Sequence, residues 1–520
     1  MKKTKSSSYV HKIETSNVYD VATVTPLSKL DRLSKDLGNS VLLKREDLQP
    51  IFSFKLRGAY NKLSKLKKKG NTKKVIAASA GNHAQGVAYA AKKLSISAII
   101  IMPVTTPSIK VNSVKYYGAK VILYGDNFDE AFAYAKQLSL KKNIVFIHPY
   151  DDEDVISGQG TVGLEILEAH PDKIDTIFIP VGGGGLIAGV GAYVKSINPN
   201  IKIIGVEPDD AACLKVALEA NKIVPLKEVG LFADGVAVKQ IGKLTFSLIR
   251  EWIDEVVTVS VDEICAAVQD TFEATRTIPE PAGALSLAGL KKLTSKKRWK
   301  NKTLVAINSG ANINFDRLSH IVERVQLGEK KEALFSVSIP EEKGSFRSFC
   351  KTLGKRMISE FNYRADDESK AYIFLACRFN DGTSEKRKLI NDLKAKSYSP
   401  LDLSDNEIAK LHIKHMVGGR APKHISEYGE LIFRVEFPEK PGALINFLNS
   451  LGDKWNITLF HYRNQGAAYG RVLIGFQAKQ KEKNQFSISV SYSYIFEATG
   501  DLVSECLHGT AFPLFLKTKA

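Results

Sequence analysis

The chain has 520 residues, enough for two to four domains with sizeable cores. Its 44% apolar and 25% charged residues suit a soluble globular enzyme, and no apolar run is long enough to predict a membrane span. The net charge of +18 is scattered over pairs and short runs such as Lys67–Lys69, Lys73–Lys74, Lys291–Lys292 and Lys296–Lys297. That pattern predicts a solvated surface and argues against a nucleic-acid stripe.

The basic start, Met1 to Ser8, has no apolar stretch behind it, which predicts no secretory signal and a cytoplasmic protein. Val41-Leu-Leu-Lys-Arg-Glu-Asp47 reads as a strand running into a turn at Pro50. Ala59, Leu63 and Leu66 then recur at helical spacing, which places Lys55 at a helix start between Phe52 and Phe54. Desolvation by the two rings and the positive helix end would both lower the pKa of this amine, as Schiff-base chemistry requires. Taken alone, Lys55 is one more lysine in a lysine-rich chain, and its significance comes from the motifs downstream of it.

Val75–Ala78 reads as a short strand, Ser79-Ala-Gly-Asn-His83 as a polar loop, and Ala84–Leu94 as an alanine-rich helix. Strand, glycine-containing loop and helix is how open α/β sheets present ligands at strand ends. Further strands are expected at Ala98–Met102, Lys120–Tyr124, Thr176–Ile179, Ile201–Val206, Glu255–Val259 and Thr303–Ile307, alternating with helices. The expectation is a mostly parallel α/β core in two lobes. Gly182, Gly183, Gly184 and Gly185 come after the Thr176–Ile179 strand and open a helix at Leu186. A backbone free of side chains at a helix start is suited to a phosphate. The spacing is not that of a dinucleotide fingerprint. Asn308-Ser-Gly-Ala-Asn312 ends the last strand, with Ser309 read as either a turn serine or a ligand contact.

Beyond residue 325 the character changes. Ile339-Pro-Glu-Glu-Lys-Gly344 returns as Phe437-Pro-Glu-Lys-Pro-Gly442, and Phe361-Asn-Tyr-Arg364 returns as Phe460-His-Tyr-Arg463, at offsets of 98 and then 99 residues. Each copy reads strand, glycine loop, amphipathic helix, strand, a βαββαβ-type module without acid–base or metal constellations. Such a duplication suggests ligand sensing, with structural dimerisation as the simpler alternative. Phe486–Tyr494 alternates like a strand, and the residues from Asp501 fit no pattern. Cys213, Cys265, Cys350, Cys377 and Cys506 are odd in number and scattered, which predicts buried free thiols and no structural zinc.

The motifs around Lys55, Ser79–Gly86, Gly182–Gly185, Glu280-Pro-Ala-Gly283 and Ser309-Gly310, in that order, closely resemble the threonine dehydratases. These are fold type II, tryptophan-synthase-β-like pyridoxal-phosphate enzymes, and the repeat resembles their tandem ACT-like (ferredoxin-like) regulatory modules. The resemblance implies a catalytic domain at 1–325, a linker at 326–332, and regulatory modules at 333–405 and 430–505. It implies that pyridoxal 5'-phosphate is held by Lys55, with its phosphate at Gly182–Leu186, its ring oxygen at Asn82 and its ring nitrogen at Ser309. Ser79, Ala80, Gly81 and His83 would face the carboxylate of L-threonine, and Lys55 would be the base. Glu280 would help to orient the ring environment. No metal is expected. Gly344, Phe361, Gly442 and Phe460 would form sites for isoleucine as inhibitor and valine as activator, in a homotetramer without nucleic-acid or membrane partners. The alternatives are a serine dehydratase or racemase of the same fold and a catalytically inactive amino-acid sensor.

Overall fold

The computed structural model describes residues 7–404, apart from 71, 171–172, 316, 329–331, 341, 343, 365–369 and 380–381. Farther on it describes residues 406, 430–438, 444–445, 448–449, 456–463, 469–477 and 496–498. It divides into two units, Met1–Gly328 and Glu329–Ala520.

In the first unit the central apolar runs, such as Lys74–Ala78, Thr176–Pro180 and Thr303–Asn308, become strands buried on both faces, as parallel sheets require. The larger sheet has the order Leu27–Lys29, Ser40–Arg45, Thr303–Asn308, Thr176–Pro180, Lys202–Pro208 and Glu255–Val259. Only its first pair is antiparallel. The smaller, all-parallel sheet runs Lys120–Leu123, Ser97–Met102, Lys74–Ala78 and Val145–Phe146. Helix Lys55–Lys68 buries Ala59, Tyr60 and Leu63 in the core of the smaller sheet. Helix Gly185–Ile197 buries Leu186, Ile187, Val190 and Val194 in a core of the larger one. The loops that carry the motifs, at Ser79–Gly81, Gly182–Gly184 and Ser309–Asn314, all leave the carboxyl ends of strands, where open α/β sheets gather their ligands. Among the described residues, no helix is long and apolar enough to cross a membrane.

The second unit carries one eight-stranded sheet, in the order Leu401–Asp402, Glu332–Pro340, Lys370–Arg378, Met357–Arg364, Asn456–Arg463, Tyr469–Gln477, Glu430–Pro438 and Phe496–Ala498. The two copies of the repeat join antiparallel at Met357–Arg364 and Asn456–Arg463. Phe361 pairs with Tyr462, Asn362 with His461, and Tyr363 with Phe460. Asn362 and His461 hold the same place in the two copies, so the local two-fold axis of the repeat passes between them. Phe361 and Phe460 are both fully buried, with ring centroids 5.5 Å apart, beneath Phe346 of helix Ser345–Leu353. Both rings are therefore core side chains at the seam. Gly344 has φ +91° at the start of that helix, a conformation that favours glycine. Gly442, the Phe486–Tyr494 stretch and the tail from Asp501 lie outside the described residues. Cys213, Cys265, Cys350 and Cys377 are buried and free.

Candidate active site

Lys55, Asn82, Ser79, Ala80, Gly81, His83 and Gly183 line one cavity of about 510 Å³ in the first unit. The Lys55 amine donates to the Pro149 carbonyl at 3.0 Å and lies 5.2 Å from the centre of the Phe54 ring. Burial pushes its pKa down to about 8, against the pull of the Glu280 carboxylate. Phe52 departs from the expectation. Its backbone has φ +56° and its side chain is 55% exposed, so it forms part of the cavity wall without enclosing the amine. An isolated bridge between Ser53 and Gly310 ties this turn to the loop after strand Thr303–Asn308.

Behind Lys55, the helix is anchored by charge. Arg57 is fully buried and paired with Glu46 and Glu165, and Lys44 is paired with Glu165. Two cations and two carboxylates thus balance within the protein, and they join helix Lys55–Lys68 to strand Ser40–Arg45 and helix Glu153–Ala169. This cluster escapes sequence reasoning because Glu165, which both cations share, lies 108 residues beyond Arg57.

Asn82 opens helix Asn82–Lys93 and donates to Oε1 of Glu280 at 2.6 Å. Burial, with Asp234 nearby, pushes the Glu280 carboxyl up to about 7. His83 is held by the Ile147 carbonyl at 3.0 Å, and burial beside the Lys55 cation pushes its pKa down to about 3. It is a neutral imidazole whose Nε2 proton is spent on that carbonyl.

The tetraglycine loop is a fitted cradle. A Cβ on Gly182 would lie 2.9 Å from Val236 Cα, and one on Gly183 would overlap the Tyr150 ring. Gly184 has φ +90° and precedes helix Gly185–Ile197, whose start has no side-chain cap. The loop therefore offers bare N–H groups at a helix start, the arrangement that receives a phosphate. Ser309 is 3% exposed, one residue from Gly310, and its hydroxyl donates to the Ala282 carbonyl at 3.2 Å. That is a long O–H···O bond, so its proton can turn to another acceptor.

Residues 18–310 match the family described as pyridoxal-phosphate dependent enzyme. Residues 323–413 and 423–494 match the C-terminal regulatory domain of threonine dehydratase. The chain is 47% identical over 499 residues to the biosynthetic L-threonine dehydratase IlvA of Burkholderia multivorans, spanning 95% of this chain and 98% of that one. It is 50% identical to the Escherichia coli biosynthetic L-threonine dehydratase IlvA over 476 residues, 91% of each chain. The chain belongs to the threonine dehydratase family of pyridoxal-phosphate enzymes. In structure it is similar to the processed form of threonine deaminase isoform 2 from Solanum lycopersicum, with a TM-score of 0.61 and 47% identity, over 63% of this chain and 90% of that one.

The residues present fit the family's cofactor. A bare glycine cradle at a helix start suits its phosphate, and a buried amine of lowered pKa suits its aldehyde. Sequence reasoning overlooked Tyr150, which closes the glycine loop, and assigned no role to Asn312, which bonds Asn82. Tyr150 belongs to no motif, and Asn312 closes the Asn308–Asn312 stretch, in which only Ser309 was read for a contact.

Proposed function

We propose that this enzyme converts L-threonine to 2-oxobutanoate and ammonia, the first step of isoleucine biosynthesis. The α-hydrogen and β-hydroxyl leave as water, and a water returns as ammonia is released. The observation that carries this reading is the amine of Lys55, its pKa lowered by burial, in one cavity with Asn82 and Gly183 of the glycine loop. Bound there, pyridoxal phosphate supplies the electron sink that makes the α-proton of an amino acid labile. Lys55 would hold the cofactor and serve as the base at the α-carbon, a role that its burial-lowered pKa suits. The N–H groups of Gly182–Leu186 receive the phosphate, Asn82 faces the ring oxygen and Ser309 the ring nitrogen. Ser309 is neutral, so it stabilises a charged ring less than a carboxylate would, which favours elimination over transamination. The loop Ser79–His83, at the start of helix Asn82–Lys93, receives the substrate carboxylate.

Racemisation needs a second acid–base group, and this loop has no titratable side chain poised for it. Ala80 has no polar side-chain atom, and His83 is neutral and engaged with Ile147. An intact Lys55 in a cavity also favours an enzyme over a catalytically inactive sensor. We assign isoleucine inhibition and valine activation to the unit Glu329–Ala520, in a cytoplasmic homotetramer. The match of residues 323–413 and 423–494 to a regulatory domain supports that assignment. The test is incubation of the full chain and cofactor with L-threonine or L-serine. The expected result is equal amounts of 2-oxobutanoate and ammonia from threonine. Turnover of serine alone would overturn the reading.

A further inference from the structure

The Asn312 amide donates two hydrogen bonds, to the main-chain carbonyl of Ile51 at 2.8 Å and to Oδ1 of Asn82 at 2.7 Å. A main-chain carbonyl can only accept, so the end of the Asn312 amide facing Ile51 is its nitrogen. The same nitrogen requires oxygen from Asn82. Asn82 must therefore turn its own nitrogen away, and that nitrogen meets Oε1 of Glu280 at 2.6 Å. The Ile51 carbonyl thus fixes the polarity of the whole run from Asn312 through Asn82 to Glu280. Asn312 spends both of its amide protons in the run, whereas Asn82 spends one on Glu280 and keeps the other. All three side chains line the cavity.

An asparagine amide turned by half a rotation has almost the same shape, so packing alone does not choose between its two orientations. The choice has a chemical consequence. In one orientation a ring oxygen beside Asn82 meets a proton, and in the other it meets a lone pair. We propose that Asn312 is a positioning residue that locks the Asn82 amide with a proton available to the ring oxygen of pyridoxal phosphate. The inference rests on the reading that Asn82 faces that oxygen. It gives Asn312 a role in binding the cofactor without touching it.

Asn312→Asp tests this in the full chain, by cofactor titration, the absorption maximum of the bound cofactor, and melting of the cofactor-free protein. A carboxylate only accepts, so it draws the Asn82 nitrogen to itself and turns the Asn82 oxygen toward Glu280. Cofactor affinity should fall roughly tenfold or more, the absorption maximum should move, and the melting temperature should drop. Adding Glu280→Gln supplies a donor to the turned Asn82 oxygen and restores both Asn82 bonds with reversed polarity, while the Ile51 carbonyl still lacks the donor that Asn312 gave it. The double variant should regain part of its melting temperature yet bind cofactor roughly tenfold or more weaker than Glu280→Gln alone. Asn312→Ala, which adds no charge, should also weaken binding, and it serves if the aspartate variant does not fold. Recovery of both melting and affinity in the double variant would make Asn312 merely structural and overturn the proposal. So would unchanged affinity in both Asn312 variants while Asn82→Ala binds poorly. Unchanged affinity in Asn82→Ala would overturn the reading of Asn82 and the proposal together.

Discussion

At the scale of single residues, the Lys55 amine is the most informative group in the first unit. With its pKa pushed from 10.5 to about 8, roughly a tenth of it is neutral at pH 7, against well under a thousandth for an ordinary lysine. Capture of pyridoxal phosphate by the cofactor-free chain should therefore speed up as pH rises to about 8 and then level off. A rate, tracked by absorbance, that climbs on toward pH 10 would contradict the burial argument. The same shift sets the sign for stability. The unfolded chain keeps this proton up to about 10.5 and the folded chain releases it near 8. Burial of the charged amine therefore costs stability below about 8, and that cost is relieved as pH rises from about 8 to 10.5 in the cofactor-free fold. Ser309→Asp should strengthen the charged ring, lower elimination and raise transamination, as a product ratio would show. The Lys55 helix start was legible from Ala59, Leu63 and Leu66. The place of Phe52 was not, because its φ of +56° swings the ring out and no spacing rule encodes that turn.

At the scale of elements, the start of helix Gly185–Ile197 and the start of helix Lys55–Lys68 are built by opposite means. The first is stripped of side chains. Gly184→Ala should cost about 1–2 kcal/mol for its left-handed backbone alone, and Gly183→Ala should push on Tyr150 and weaken cofactor binding more than folding. Comparing cofactor affinity with the unfolding midpoint separates the two effects. The second is locked by the buried charges of Arg57, Lys44, Glu46 and Glu165. Arg57→Met leaves the two carboxylates with less than their share of positive charge and should destabilise the protein by about 3–5 kcal/mol in denaturant unfolding. The glycine run announced its element in the sequence because four glycines have few other uses. The ionic cluster did not, since Glu165 of helix Glu153–Ala169 reaches Lys44 and Arg57 only through the folded order of the elements. That order depends on crossovers that local patterns do not specify.

At the scale of the whole molecule, the repeat was legible as a duplication, and its structure adds the seam. Pairing of Asn362 with His461 makes the two copies one continuous sheet of eight strands. Phe361→Ala, at the centre of the aromatic cluster with Phe346 and Phe460, should destabilise this unit by about 3–5 kcal/mol, as unfolding would show. Any loss of isoleucine response in that variant would then accompany loss of the unit's fold. Removal of residues 329–520 is the cleaner probe. The shortened chain should still dehydrate threonine and no longer respond to isoleucine. A differential affinity of about 1–3 kcal/mol between two states would account for the response of the full chain. Inhibition of the shortened chain at the same isoleucine concentration would place the sensor in the first unit.

The central claim is that the amine of Lys55 holds the cofactor and performs the chemistry. Borohydride reduction of the full chain with pyridoxal phosphate, and then peptide mapping, tests it most directly. The expected result is a single pyridoxyl group on Lys55, complete loss of threonine turnover on reduction, and neither label nor turnover in Lys55→Ala. A label on another lysine, or near-normal turnover in Lys55→Ala, would contradict it.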